Sequence, residues 1–423
     1  MTSLPRSRAP WRRPATVLAA AAVILAVGGA TAAVPVVPPL RYGGIAAGAG
    51  GGIRLLPAAA HARPPDAAQR RWLASGLVPG TTAEQRAMAA RALLDIRLLT
   101  RPDGAVAAAW QGAWRYAWPR DSSWTAAALA ATGHPALALS VLRFLARVQP
   151  PSGLWAARYH LSGPPVRDGR PAELDADGWF PWAVWFWYVS QHQSGRSALT
   201  ALWPAVSRAA DRAARPGAGG LPPASLDYWE HRASVTLGTA APLQAGLRAA
   251  AGLARTLGYA GQERRWSAAA TRLSRAITAR FGRTGYLRTP AASSGTDAAV
   301  TFLGPPFSAA GPAVRGAAAD AAQDLRLANG GIVPGTAWTN TPDEAWTPET
   351  GFFALYDAAS GDRAGAARWL GWLAAHRTAA GSLPEQVNAK GRPASVAPLA
   401  WTDAVALLAM TAEQHPLPVP PAP

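Results

Sequence analysis

Apolar residues recur at helical spacing along most of the chain. One helix ends at Gly133, a second begins at Pro135, and the apolar face of the second runs from Leu137 to Val148. Similar patterns predict further helices at 179–192, 240–257, 262–280, 346–358, 362–377 and 400–413. Gly/Pro loops separate these segments and alternating β patterns are few, so the chain is predicted to be all-α with about a dozen helices.

Two of the predicted helices are apolar around most of their circumference. These are GWFPWAVWFWYVS and WTDAVALLAM, and such segments are typical of helices packed on both sides. A double ring of helices places its inner members in that setting. Without a clear fixed-period repeat, a closed helical toroid is favoured over an α-solenoid, although periodicity alone does not choose between them. Thr81 and Glu84 have capping-box spacing, which predicts a helix start before AMAARALLDIRLL.

The N-terminal region predicts export. Several arginines, including the pair Arg12 and Arg13, precede an uncharged stretch from Pro14 to Leu40 that has an apolar centre and small residues up to Ala32. Residues 1–40 are therefore predicted to be a signal peptide cleaved after Ala32 or a retained membrane anchor, since the stretch can cross a bilayer of roughly 30 Å. The protein is expected to be secreted or attached to the outer face of the cytoplasmic membrane.

Composition divides the rest of the chain. Residues 41–66 are rich in Gly, Ala and Pro and are predicted to be a tether, residues 67–415 the folded domain, and residues 416–423 a Pro-rich tail. The formal net charge is +17, but Lys390 is the only lysine and the arginines are scattered. No basic run is interleaved with aromatic residues, so nucleic acid is not an expected partner. An arginine-rich envelope protein that binds anionic polymers is an alternative that rests on charge alone.

The absence of cysteine excludes disulfides, thiolate metal sites and cysteine nucleophiles, and no metal or cofactor is expected. The 19 tryptophans are unusually many, and those in loops suit stacking on sugar rings. A core role is preferred for the tryptophans on helical faces, which are Trp185, Trp187, Trp266, Trp369 and Trp372.

Five carboxylates lie in aromatic loop sequences: Asp121, Asp175, Glu230, Asp297 and Glu385. For any one of them alone, a helix cap or a surface charge is the preferred explanation. Residue chemistry by itself therefore provides candidate acids without ranking them.

Seven motifs occur in order between Arg115 and Met410: YAWPRDSSW, LDADGWFPWAVW, LDYWEHR, GTDAAVTFLGPPF, EAWTPETGFFALYDA, GSLPEQ and PLAWTDA. In their order and spacing they resemble the catalytic domain of glycoside hydrolase family 15, the glucoamylase-like enzymes. The resemblance implies an (α/α)6 barrel of six inner and six outer helices, with the active site at one end of the inner ring. It also implies a carbohydrate substrate.

The resemblance implies that Glu230 is the general acid and Glu385 the general base. Trp229 is expected to help desolvate Glu230 and favour its protonated form, whereas Glu385 has to stay ionised to activate water. Inversion requires room for that water, so the two carboxyl groups are expected to lie roughly 6.5 to 9.5 Å apart.

The same resemblance implies a set of sugar-binding residues. Arg120 and Asp121 would hold hydroxyl groups at the closed end of the pocket, with Trp118 as its wall and Tyr116 near the nucleophilic water. The alternative for Arg120 and Asp121 is a salt bridge at a helix start. Further pocket residues are expected from the matching motifs: Asp175, Trp179, Trp229, Trp346 and Trp401. A structural role is preferred for Asp297.

Two departures from the family pattern affect the expected substrate. The segment GGIVPGTAWTNTPDE lacks the arginine that helps the family to grip substrate, and His231 follows Glu230 where a second acidic residue is common. The leading hypothesis is an inverting, exo-acting hydrolase that releases glucose from the non-reducing ends of α-linked saccharides. The alternatives are another inverting glycosidase and an inactive glycan-binding or envelope scaffold protein of the same fold.

Overall fold

The computed structural model describes residues 39–192 and 194–422. Across these residues it contains twelve α-helices: α1 (Ala67–Ala74), α2 (Ala83–Leu99), α3 (Pro119–Ala131), α4 (Pro135–Val148), α5 (Ala176–Ser190), α6 (Arg196–Ala213), α7 (Leu237–Leu257), α8 (Ala260–Arg280), α9 (Pro312–Asp324), α10 (Thr347–Ser360), α11 (Arg363–Ala375) and α12 (Ala400–Gln414). The strands are short: β1 (Tyr42–Ala47), β2 (Ile53–Pro57), β3 (Tyr116–Ala117), β4 (Tyr159–His160), β5 (Ala345–Trp346), β6 (Gln386–Val387) and β7 (Pro393–Ala394).

The helices form two concentric rings. The inner ring consists of α3, α5, α7, the 3-10 helix Ala298–Leu303, α10 and α12, each packed against the next, and it closes where α12 packs against α3. The helices α2, α4, α6, α8, α9 and α11 pack behind the inner members. This is the predicted (α/α)6 barrel, and the helices expected at 179–192, 240–257, 262–280, 346–358, 362–377 and 400–413 coincide with α5, α7, α8, α10, α11 and α12.

Aromatic side chains fill the centre of the inner ring. The Trp124 ring on α3 lies 5.0 Å from Trp179 on α5 and 5.7 Å from Phe352 on α10. This explains why α5 is apolar on all sides, since every face of it is covered. The tryptophans expected in the core are there: Trp185, Trp187, Trp266 and Trp369 are buried, and Trp372 is partly buried against the core.

The fourth inner element, the 3-10 helix Ala298–Leu303, is much shorter than the other five. Asp297 caps it by accepting a hydrogen bond of 2.8 Å from the Ala299 N–H. Gly304 ends it, and two prolines follow, which have no N–H to continue the helical ladder. The cap agrees with a structural role for Asp297.

The segment 41–66 is not the tether predicted from its composition. Strands β1 and β2 pair as an antiparallel hairpin, Ile45 on β1 is fully buried, and its carbonyl accepts a hydrogen bond of 2.7 Å from Arg91 on α2. A Cβ added at Gly44 would lie 2.8 Å from Ser382 Oγ. Gly44 is therefore a packing residue, needed for close approach.

The capping box of α2 is formed by Thr82 and Gln85, one residue later than the predicted Thr81 and Glu84, because the side chain that reaches back to the cap is Gln85. The tail 416–422 lies on the body, with Leu417 packed against the core.

The signal or anchor predicted for residues 1–40 falls almost entirely on residues outside the described ones. Within residues 39–192 and 194–422, no helix has the length and apolar character needed to cross a membrane.

Candidate active site

Three inner helices begin around one cavity of 250 Å³. Helix α3 begins at Pro119, α10 at Thr347 and α12 at Ala400, directly after Trp118, Trp346 and Leu399, which line the cavity. Helix N-termini present unpaired N–H groups and a partial positive charge, which suits carboxylates and oxygen-rich ligands. The predicted site residues that line this cavity are Trp118, Arg120, Asp121, Trp229, Glu230, Trp346, Glu385 and Trp401. A larger cleft of 710 Å³ among α9, α10 and α11 contains none of them.

Glu385 is held by a small antiparallel sheet. It directly precedes β6, and the β6–β7 hairpin lets its N–H donate to the Val396 carbonyl at 2.8 Å. This pairing brings Ser395 beside it, and the Ser395 hydroxyl donates to Glu385 Oε2, while Trp114 Nε1 donates to Oε1 at 2.9 Å. Burial raises the pKa of Glu385, and these two hydrogen bonds oppose that effect.

Glu230 lies in a tight turn with a left-handed backbone, at φ +50°. Its N–H donates to the Asp227 carbonyl at 2.8 Å, and the Asp227 side chain accepts from the Trp229 N–H at 3.0 Å. Arg288 fixes this turn from behind, because it donates to Asp227 at 2.8 Å and to Asp297 at 2.6 Å and stacks 3.6 Å from the Trp229 ring centroid. A buried ion-pair network therefore determines where Glu230 points.

The side chain of Glu230 contacts Trp118 and arginines. Trp118 Nε1 donates to Oε1 at 2.8 Å, Arg170 forms an ion pair with Oε2, and Arg120 lies 3.7 Å from Oε1. The Trp229 ring, which was expected to desolvate Glu230, packs on Arg288 and lines the same cavity as Glu230. Glu230 keeps a 21% exposed side chain at the mouth of the cavity.

Arg120 is buried at the base of the cavity among three carboxylates. It donates to Glu173 at 2.5 Å and to Asp175 at 3.2 Å, and its Nε lies 3.4 Å from Asp121. Burial raises the pKa of Asp121 to about 6 and that of Glu173 to about 8. Asp175 stands behind Arg120 and does not line the cavity, so the prediction that it is a pocket residue is wrong. It contacts Arg120, which does line the cavity.

Two other predicted pocket residues lie elsewhere. Tyr116 lines a separate cavity of 360 Å³ beside His160, with which it pairs across β3 and β4, and Trp114 takes the place expected for Tyr116 beside Glu385. Trp179 is fully buried in the aromatic centre of the inner ring and does not reach the cavity. Sequence patterns locate these residues near the site but do not give the direction of their side chains.

Several cavity residues were missed by sequence reasoning, among them Trp114, Arg158, Arg170, Trp338 and Glu349. Glu349 is the third residue of α10 after Trp346, as Asp121 is the third residue of α3 after Trp118, so a repeated Trp-x-x-acid spacing was the available signal. Burial raises the pKa of Glu349 to about 8. Trp338 comes from the arginine-lacking segment and packs at right angles to Trp229, with 5.1 Å between ring centroids.

The cavity residues include buried polar atoms without a hydrogen-bond partner among the described residues. They include Trp229 Nε1, Glu349 Oε2 and Trp401 Nε1. Buried polar groups are usually paired, so unpaired ones in a cavity point to a ligand with both donors and acceptors. In the part of the chain that is described, no group of His, Cys, Asp and Glu side chains is arranged to hold a metal ion. Aromatic walls with four carboxylates, those of Asp121, Glu230, Glu349 and Glu385, suit acid–base chemistry on a polyhydroxylated ligand.

No family model matches the chain, and no curated protein matches it by sequence. Solved structures do share the fold. A wild-type glycosidase is 21% identical with a TM-score of 0.65, and the match covers 83% of this chain and 99% of that chain. A glucoamylase from Saccharomycopsis fibuligera is 13% identical with a TM-score of 0.64, covering 84% and 96% respectively.

A bacterial glucoamylase complexed with acarbose is 18% identical with a TM-score of 0.65. The match covers 83% of this chain but 58% of the bacterial protein. A glycosidase variant in complex with glucose is 22% identical with a TM-score of 0.65, and that match covers 82% of this chain and 98% of the variant. At these identities the likeness establishes the (α/α)6 barrel fold.

Proposed function

We propose that the protein is an inverting, exo-acting glycoside hydrolase that releases glucose from the non-reducing ends of α-linked gluco-oligosaccharides or polysaccharides. The observation that carries the proposal is that Glu230 and Glu385 line one aromatic cavity. The names of the structural neighbours, which include glucoamylases and a glycosidase complexed with glucose, support it. A cavity of 250 Å³ is smaller than the roughly 300–1,000 Å³ of pockets for drug-sized ligands, which favours one sugar ring at the closed end.

In the proposed reaction, Glu230 donates a proton to the departing glycosidic oxygen. Glu385 takes a proton from water as that water attacks the anomeric carbon from the opposite face, so configuration inverts. The hydrogen bonds from Trp114 and Ser395 stabilise the carboxylate of Glu385. Arg120 and Asp121, at the buried end, would hold the hydroxyl groups of the sugar.

Glucose release from maltose, isomaltose, trehalose and dextran tests the proposal. Glu230→Gln and Glu385→Gln are each expected to lower kcat by about 10²- to 10⁴-fold, the usual contribution of a general acid or base, with the fold retained. Glu263→Gln, on α8 outside the cavity, is the matched control and should keep full activity. NMR detection of β-glucose as the first product would demonstrate inversion, and full activity in either active-site variant would disprove its assignment.

An inactive glycan-binding or envelope scaffold protein is the second candidate. The ion pair between Arg170 and Glu230 favours it, because a general acid donates its proton from the neutral carboxyl form. Binding of maltose by calorimetry without any release of glucose would distinguish this candidate from the hydrolase.

We also propose that residues 1–40 direct export. The apolar, uncharged stretch that follows the N-terminal arginines supports this location. Cell fractionation with N-terminal sequencing of the exported protein separates cleavage after Ala32 from retention as an anchor.

A further inference from the structure

Two arginines stand beside Glu230 in the cavity wall, and they differ in depth. Arg170 belongs to the loop between β4 and α5, and its side chain is 38% exposed, whereas the Arg120 side chain is 5% exposed. Arg170 is therefore at the mouth and Arg120 at the base. Arg158, which also lines the cavity, stacks over Tyr116 and Trp118 at 4.9 and 5.2 Å from their ring centroids.

When Glu230 is neutral, Arg170 loses one of its two ion-pair partners. Arg120 has three carboxylates of its own in Asp121, Glu173 and Asp175. Arg158 is paired with Asp168, and the same Asp168 lies 3.6 Å from Arg170. The remaining ion-pair partner of Arg170 among the described residues is Glu230. With Glu230 in its acid form, Arg158 and Arg170 share a single carboxylate.

The position of Arg170, which is then left with one shared ion-pair partner, places its guanidinium group near one part of the substrate. The proposed acid, Glu230, touches the glycosidic oxygen, so a group that contacts Glu230 from the mouth faces the leaving group rather than the released sugar. Guanidinium groups bind carboxylates with two parallel hydrogen bonds, which neutral hydroxyl groups do not match.

We propose that Arg170 is a specificity-determining residue that binds a carboxylate on the leaving group, so that the preferred substrates are α-glucosides of sugar acids. The inference rests on the proposed function. A carboxylate on the leaving group competes with Glu230 for Arg170 and so releases Glu230 from its ion pair. A neutral leaving group leaves that ion pair in place, so a smaller fraction of Glu230 is in the protonated form that can donate.

The test compares substrates that differ only in this group. Maltobionate and maltitol have the same open-chain leaving group, with a carboxylate in the first where the second has a hydroxymethyl group; isomaltobionate and isomaltitol are the corresponding pair for the 1,6 linkage. For the linkage that the enzyme cleaves, we expect kcat/KM for glucose release to be about 10- to 100-fold higher with the aldonate substrate than with the corresponding alditol substrate. This is the factor expected for hydrogen bonds between charged groups. Gluconate and sorbitol are the products of the leaving group from the two kinds of substrate. Stronger product inhibition by gluconate than by sorbitol provides a second readout.

Variants identify the residue responsible. Arg170→Gln is expected to reduce the preference to less than about threefold, and Arg170→Lys to retain part of it, because one charged contact remains. Arg167→Gln is the matched control, since Arg167 is exposed in the same loop and does not line the cavity. Equal rates on both members of each pair, or a preference that persists in Arg170→Gln, would overturn the inference and leave hydrolysis intact. Absence of hydrolysis with every substrate would overturn the proposed function as well.

Discussion

At the residue scale, each oxygen of Glu385 is held by a separate donor, Trp114 Nε1 on one and the Ser395 hydroxyl on the other. Burial raises the pKa of this carboxyl group, and the two donors counteract the increase by stabilising its charged form. A general base needs that charged form. The donor is an indole N–H two residues before the Tyr116 expected from the motif.

Trp114→Phe keeps an aromatic ring and removes the N–H donor. The pKa of Glu385 should then increase, so the acid limb of the pH profile of kcat/KM should move to higher pH. We expect activity at neutral pH to fall about tenfold, as for the loss of one hydrogen bond to a charged group. Trp110→Phe, on the separate cavity of Tyr116, is the control. An unchanged acid limb would show that this hydrogen bond does not tune the base.

Glu349 couples stability to pH. Burial raises its pKa in the folded protein to about 8, above the ordinary value of 4.5, so between these values the folded state retains a proton that the unfolded state loses. Its contribution is therefore fully present below pH 4.5 and decreases as pH rises towards 8. Glu349→Gln should reduce the fall in Tm between pH 5 and pH 8. Each tenfold difference in proton affinity between the folded and unfolded states changes the free energy of unfolding by about 1.4 kcal/mol. Thermal unfolding of Asp320→Asn provides the comparison and should show the wild-type fall in Tm, since Asp320 is an exposed residue of α9 with no ion pair among the described residues. An unaltered Tm difference in Glu349→Gln would contradict the assignment.

At the element scale, the inner ring depends on close contact between α5 and α7. A Cβ at Gly178 would lie 2.2 Å from the Pro242 backbone, and a Cβ at Gly246 would lie 2.4 Å from the Gly178 carbonyl oxygen. Glycine in a helix interior ordinarily costs about 1 kcal/mol relative to alanine. Here the cost is offset because the two helix backbones touch, which a residue pattern along one helix does not reveal.

Gly246→Ala is expected to destabilise the fold by about 1–3 kcal/mol, the usual cost of overpacking a core. Gly371→Ala, on α11 with nothing within 4 Å of the added Cβ, is the matched control and should stabilise by up to about 1 kcal/mol. Urea denaturation measures both. Equal effects of the two substitutions would mean that α5 and α7 can separate without cost.

At the scale of the whole molecule, the segment before α1 belongs to the barrel. The Thr378 hydroxyl donates to the Gly43 carbonyl, and the Ala62 N–H donates to the Ala379 carbonyl at 2.8 Å, so the segment is bonded to the α11–α12 connection at both ends. Through Ser382, that connection also contacts the buried Asp95 of α2. The hairpin therefore supports the chain that leads to Glu385.

A chain that starts at Pro65 lacks the hairpin and should be less stable than one that starts at Val36. The expected difference is at least about 2 kcal/mol, the contribution of burying one side chain of the size of Ile45. Thermal and urea unfolding of the two chains measure it. Identical stability would instead favour the tether predicted from composition.

The sequence by itself determined most of the helices, because helical periodicity is a property of residues three and four apart. The segments of α1, α6, α9 and the 3-10 helix Ala298–Leu303 were not among those predicted. It also determined that α5 and α12 are inner helices, since they are apolar on all sides, and the ordered motifs selected Glu230 and Glu385 among the five acids. The tertiary structure alone decided which side chains meet. Ring closure brings the start of α3, α10 and α12 to one cavity, and loop geometry places Trp114 instead of Tyr116 beside Glu385 and Arg170 at the mouth. These contacts join residues distant in the chain, so no local pattern encodes them.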